Sequence, residues 1–232
     1  MFNLTVLELN QMMRVYKILN KILPEVLYIY FQNKKRLFEL PSSIRKIVRN
    51  LGSDDICIDC GANVGVYSQL FAKYGSQVYS FEPNPVAFNI LKKKTKKLKN
   101  INPIMSAVGT SNTVSKLYMH EDFNLDKVLY SQSSSLIKQK NNLSDSFILI
   151  EVINFAEWLK QFKKIKFIKI DIEGYEVELL NHLINTKVLN RVDYIFVETH
   201  ENKIVELRNE INQLKKKIKN SNLQTKFFWN WP

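Results

Sequence analysis

Ile56-Cys57-Ile58-Asp59-Cys60, followed by Gly61-Ala62-Asn63-Val64-Gly65 and then Val66 to Tyr74, is the stretch that decides the fold. A short apolar run carrying one carboxylate, a turn punctuated by two glycines and a segment of helical periodicity spell strand, turn, helix. Working outward, the pattern repeats. Gln77 to Phe81 reads as a second strand ending at Glu82, and Pro83-Asn84-Pro85 opens a helix to about Lys97. Ile101 to Val108 reads as a third strand. Further on, Phe155 to Phe162 reads as a helix and Phe167 to Ile172 as a strand. Tyr175 to Ile184 is then a helix, and Tyr194 to Val197 a strand leading into Glu198-Thr199-His200. Lys203 to Lys219 places Ile204, Leu207, Ile211, Leu214 and Ile218 on one helical face, and Leu223 to Trp231 reads as a last strand. Strands alternating with helices across short loops predict an α/β fold with a doubly wound, mostly parallel sheet.

Two regions fall outside this rhythm. In residues 1–50, Leu4, Leu7, Met12, Val15, Leu19 and Ile22 recur at roughly helical spacing until Pro24. Pro41-Ser42-Ser43 reads as a cap before a helix from Ile44 to Asn50, closed by Gly52. This is an N-terminal helical extension, a lid or brace, with an amphipathic membrane anchor left open. Residues 51–232 form the main domain, with an insertion at about 109–152. That insertion is rich in Ser, Asn and Asp, and its alternating pieces Ser115 to Met119 and Phe147 to Val152 suggest strands or a hairpin. Such a segment over one end of a sheet is either a substrate-binding loop or a plain surface connection.

Composition narrows the class. The chain has 232 residues, 45% of them hydrophobic, enough for one sizeable core and too apolar for wholesale disorder. No apolar run approaches the ~18–20 residues that span a bilayer, and no secretory signal is visible. Two cysteines exclude a disulfide framework and favour a reducing compartment, so the expected location is cytoplasmic, with the inner face of a membrane left open. The net charge of +12 invites a nucleic-acid reading, but 28 of the 34 basic residues are Lys and only six are Arg. Arg is the fork that reads bases and phosphates, so Lys runs such as Lys92 to Lys99 read as solvated helix faces or a surface for anionic lipids. No nucleic-acid partner is expected, and oligomeric state is not legible.

Ligands of an open parallel sheet bind outside the carboxyl ends of its strands, where strand order reverses. Here those ends are furnished with polar groups: Asp59, Gly61, Asn63 and Gly65 at the first, Glu82 at the second, Ser106 at the third. The fourth carries Asp171 and Glu173, and the fifth Glu198 and His200. Gly61 and Gly65 permit positive φ and close approach of a ligand to the backbone. They stand four apart and lack the three-glycine dinucleotide fingerprint. Glu82, about twenty residues on, suits acceptance of hydrogen bonds from ribose hydroxyls, a feature shared by nicotinamide and S-adenosylmethionine sites. A pyrophosphate avoids nearby carboxylates, whereas Asp59 before the glycine turn suits a cation carrying an ammonium and a sulfonium.

At this point a family resemblance enters. Ile58-Asp59-Cys60-Gly61-Ala62-Asn63-Val64-Gly65 resembles motif I of the FkbM-type S-adenosylmethionine-dependent methyltransferases. Phe81-Glu82-Pro83-Asn84-Pro85, Ser106-Ala107-Val108-Gly109, Lys169-Ile170-Asp171-Ile172-Glu173-Gly174-Tyr175-Glu176 and Val197-Glu198-Thr199-His200 continue it in order, over about residues 50–205. The resemblance implies a class I methyltransferase fold and O-methylation of hydroxyls on sugars or other metabolites. It implies that Asp59, Gly61, Asn63 and Gly65 line the cofactor's methionine moiety, that Glu82, with Pro83, holds the ribose, and that Ser106 and Ala107 lie near the adenine. Asp171, Glu173, Glu198 and His200 would face the methyl group and the acceptor, which is expected to be a saccharide or another small molecule, peptide or lipid.

Methyl transfer from a sulfonium needs alignment and a base for the acceptor's proton. His200 is the first choice, since its unperturbed pKa lies near neutrality, and Asp171 the second. The same groups admit a divalent Mg²⁺ or Mn²⁺, but no metal ligand is assigned. Cys57-x-x-Cys60 projects its thiols to opposite faces of a strand and reads as packing rather than a redox pair. His120 and His182 lack partners at metal-like spacing, and Phe227, Phe228, Trp229 and Trp231 read as a strand closing the core rather than a sugar-stacking platform. Two rival classes are a nicotinamide-dependent oxidoreductase and a catalytically silent binding module.

Overall fold

The computed structural model describes residues 35, 37–120, 143–200, 207–223 and 226–229. The expected N-terminal helix before Pro24, the Ser131 to Ser135 run and Trp231 lie outside them. Six strands form one wholly parallel sheet: β1 Ile56–Cys60, β2 Gln77–Phe81, β3 Ile101–Ile104, β7 Ile165–Ile170, β8 Val192–Val197 and β9 Phe227–Trp229. Their order is β3-β2-β1-β7-β8-β9. The chain winds one way from β1 to β3 and the other way from β7 to β9. This is the doubly wound α/β sheet that the resemblance implies, and its switch point lies between β1 and β7. Among the described residues, no helix is long and apolar enough to cross a membrane.

Parallel strands are buried on both faces, which is why these segments read as near-continuous apolar runs. Helices α1 Ser42–Arg49 and α2 Val66–Lys73 cover one face, where Ile44, Val48, Leu70 and Phe71 pack on Cys57, Val78, Phe167 and Phe196. Helix α3, Pro85–Thr95, lies beside α2, with its Leu91 against Gly65. The other face meets α4 Phe155–Leu159, α5 Glu176–Asn185 and α6 Leu207–Asn220, packed on Ile58, Cys60, Ile168, Ile170 and Ile195. Cys57 and Cys60 thus serve opposite faces as buried thiols, as alternation requires. Phe227 and Phe228 divide between the faces in the same way, and Trp229 packs beside Phe227, so these three aromatics close the core as expected.

Three expectations need correction. The third strand does not run from Ile101 to Val108: β3 stops at Ile104, and β4, Ala107–Gly109, joins a second sheet. That sheet has the order β4-β6-β5, built on β5 Thr113–His120 antiparallel to β6 Leu143–Asn154. The break falls at Ser106, whose buried hydroxyl donates to the Glu151 carbonyl of β6 at 3.1 Å. The long-range partner, not the local apolar run, decides which sheet these residues join. At the other end, α1 begins after Pro41 with no side-chain cap and ends at Asn50, φ −96°. Gly52 lies beyond that end and instead donates its N–H to Asp55 Oδ2 at 3.0 Å.

Candidate active site

The turn after β1 is a left-handed construction. Gly61, Asn63 and Gly65 have φ of 76°, 50° and 82°. Gly61 N and Ala62 N both donate to the Phe81 carbonyl, at 3.1 and 2.9 Å, which ties the turn to the end of β2. The glycines are required by the chain itself as well as by φ. A Cβ on Gly61 would overlap the Asp171 carbonyl oxygen, and one on Gly65 would strike the Leu91 side chain. The close approach anticipated for a ligand is therefore, at these two atoms, an approach of the chain to itself.

Glu82 joins the turns that follow β1 and β2. Its Oε2 accepts the Asn63 N–H and its Oε1 the Asn84 N–H, both at 2.8 Å. Asn84 in turn caps α3 by accepting the Val86 N–H at 2.9 Å. Burial pushes the Glu82 carboxyl up to about 7, the two amide bonds opposing it. Pro83 is half-buried between these two residues. Each Glu82 oxygen uses one lone pair on an amide and keeps acceptor capacity for a further donor.

Beneath the turn lies a buried ionic line. Asp59 and Lys169 are paired residues of β1 and β7, and Lys169 Nζ lies 3.3 Å from Asp59 Oδ1. The Lys169 ammonium also donates to the Gly61 carbonyl at 3.3 Å and to Asp171 Oδ2 at 3.2 Å. Asp59 Oδ2 accepts from Ser68 at 2.6 Å, and Ser80 donates to Ser68 at 2.8 Å. Burial alone would lower the Lys169 pKa, but Asp171 and Asp59 overturn this and hold the ammonium charged. Asp59 is 0% exposed, so the residue expected to line the cofactor is sealed under the turn, and its influence runs through Lys169 and Gly61.

The turn after β7 builds the second half of the site. Glu173 and Gly174 take φ of 57° and 115°, and Glu176 opens α5. Glu176 Oε1 accepts the N–H groups of Ile172 and Gly174 at 3.0 and 3.2 Å and faces His200 Nδ1 at 3.0 Å. His200 Nε2 points the other way, 3.3 Å from Glu173 Oε2, 3.8 Å from Asp171 Oδ1 and 3.9 Å from Glu198 Oε1. Burial opposes the charged imidazole, but the Glu176 hydrogen bond and then the Glu176, Glu173 and Asp171 charges prevail and raise its pKa. Glu176 thus holds the ring with Nε2 turned toward the carboxylates. One donor atom each from Asp171, Glu198 and His200 lie within 4.8 Å of one another.

The structure therefore gathers Asp171, Glu173, Glu198 and His200 at one point, beside the Gly61–Gly65 turn and Glu82. Ser106 and Ala107 stand at the break between the two sheets. Both are buried; the Ser106 hydroxyl holds the sheet break and Ala107 packs with Leu117, Ile150 and Val152. Met105, 52% exposed, is the side chain that the end of β3 presents outward. Lys169 and Glu176 were missed as site residues. The signals were a lone lysine two residues before Asp171 in an apolar run, and a Glu three residues after Glu173 at a helix start.

The chain is 23% identical over 161 residues to the hexuronic acid methyltransferase AglP of Haloferax volcanii, covering 68% of this chain and 61% of that protein. A solved methyltransferase FkbM from Methylobacillus flagellatus KT is 15% identical with a TM-score of 0.45, over 71% of this chain and 38% of its own. The precorrin-6y C5,15-methyltransferase of Geobacter metallireducens GS-15 is 11% identical with a TM-score of 0.39, over 76% and 73%. The chain thus spans about three fifths of its curated relative and less of the solved FkbM protein. Residues 59–221 match the methyltransferase FkbM domain, from the Asp59 end of β1 through α6. The chain belongs to that family.

Proposed function

We propose that this protein is an S-adenosylmethionine-dependent O-methyltransferase acting on a hydroxyl of a saccharide or glycan precursor. The observation that carries the reading is the furnishing of the switch point between β1 and β7. A buried carboxylate with spare acceptor capacity, Glu82, stands beside a half-exposed carboxylate cluster at Asp171, Glu173 and Glu198. The first suits a vicinal diol and the second a cation, and S-adenosylmethionine carries both. Membership of the family and the hexuronic acid methyltransferase among its relatives support the choice of chemistry and acceptor.

Glu82 would hold the ribose, with the backbone of Asn63 and Val64 along the turn, and Lys169 would fix that turn through the Gly61 carbonyl. When bound, S-adenosylmethionine supplies an electrophilic methyl on a sulfonium. The protein's part is alignment of the acceptor oxygen and removal of its proton. That proton goes to a carboxylate of the Asp171, Glu173, Glu198 group; His200, turned toward them by Glu176, positions the group. The test is transfer of a labelled methyl from S-adenosylmethionine into hexuronic acid and neutral saccharides. Asp171→Asn is expected to lower kcat by roughly 10²-fold or more, with a smaller, several-fold loss of cofactor affinity as the cluster facing the cation loses one charge. Labelling of no saccharide, with transfer to a peptide or lipid, would replace the acceptor class and leave the chemistry standing.

A further inference from the structure

The acceptor end of the site has the composition and directionality of a divalent-cation centre. His200 is 2% exposed, and its Nε2 makes no hydrogen bond while pointing at Asp171, Glu173 and Glu198. Its other nitrogen faces Glu176 Oε1 at 3.0 Å, and that oxygen is itself fixed by two backbone N–H groups. A carboxylate can only accept, so Nδ1 carries the proton there and the Nε2 lone pair is aimed into the cluster. This carboxylate, imidazole, open-nitrogen arrangement is the usual way a protein orients a metal-binding histidine.

We propose that Asp171, Glu198 and His200 Nε2 bind a divalent cation of the Mn²⁺ class. Two donors each about 2.1 Å from one ion stand at most ~4.2 Å apart. The His200 Nε2 distances of 3.8 Å to Asp171 and 3.9 Å to Glu198 satisfy that limit. Donor atoms of all three residues fall within 4.8 Å of one another, so the remaining pair has at most a few tenths of an ångström to close. One imidazole nitrogen with two carboxylate oxygens is a borderline-hard set, better suited to Mn²⁺ than to Mg²⁺, which prefers oxygen alone. A divalent ion there would lower the pKa of a hydroxyl it touched; this use in methyl transfer rests on the function proposed above, whereas the binding does not.

The test is a Mn²⁺ titration of the full chain followed by electron paramagnetic resonance, without cofactor or acceptor, alongside calorimetry with S-adenosylmethionine on the same preparation. The expected result is one saturable Mn²⁺ site. Affinity should fall at least ~10-fold in Glu198→Gln and in His200→Ala, and stay at the wild-type value in Glu157→Gln. Glu198 is partly exposed, so its variant decides the matter should the buried His200→Ala fail to fold. An unchanged Mn²⁺ signal with the wild-type chain, or wild-type affinity in Glu198→Gln, would overturn the proposal. Failure of the methyltransferase reading shows separately, as Mn²⁺ bound with no heat from S-adenosylmethionine.

Discussion

Lys169 holds two carboxylates and a carbonyl, and replacing it by Met keeps its length while removing the charge. Asp59 is then left buried with Ser68 as its remaining hydrogen-bond partner. Breaking a buried pair in this way costs ~3–5 kcal/mol, and urea denaturation of Lys169→Met should show a loss of that order. Glu82 gives a pH signature. Its folded carboxyl titrates at about 7 against 4.5 for the free group, so between these values the folded state binds the extra proton. Its contribution to stability is therefore full below about pH 4.5 and is lost as pH rises toward 7. Cofactor binding has the opposite sense, because the ionised carboxylate is the better acceptor. Affinity for S-adenosylmethionine should be several-fold higher at pH 8 than at pH 6, with Glu82→Gln flattening the difference. The positive φ at Gly61 and Gly65 was legible in the sequence. The atoms that forbid a side chain there were not, because Asp171 arrives 110 positions after Gly61.

At the level of elements, the loops that carry Glu82 are held by caps whose removal has a defined cost. Asn84→Ala deletes the acceptor for the Val86 N–H but keeps the backbone N–H that Glu82 holds. The change should lower stability by ~1 kcal/mol, read as a small drop in Tm, with cofactor affinity nearly unchanged. Strands and helices of the main sheet were readable because their burial on two faces or one imposes the composition and period seen from Ile56 to Thr95 and from Ile165 to Asn185. The break of the third strand was not readable. Ile101 to Val108 is locally a plausible single strand, and only the pairing of Ala107–Gly109 with β6, more than forty residues later, pulls its end into the second sheet.

On the scale of the molecule, the doubly wound order makes the site. It brings the ends of β1 and β7 side by side, so Asp59, Gly61, Lys169 and Asp171 become neighbours although they come from distant segments. The position of the site was therefore legible once the alternation of strands and helices was read, whereas the division of labour within it was not. The buried Asp59–Lys169 pair and the Glu176–His200 contact are properties of packing. A ligand that binds only the folded chain stabilises the whole of it, by about 2.7 kcal/mol at a hundred times its Kd. For a chain of this size that is a rise in Tm of roughly 5–10 °C, and S-adenosylhomocysteine should produce it in a thermal melt.

The central claim is that the edge formed by Gly61–Gly65, Glu82 and the carboxylate cluster is a cofactor site for S-adenosylmethionine. Calorimetric titration of the purified chain with S-adenosylmethionine, with NADH as the control, tests it most directly. The account expects saturable one-to-one binding of S-adenosylmethionine, none of NADH, and loss of the signal in Glu82→Ala. Binding of NADH alone, or of neither ligand, would contradict it.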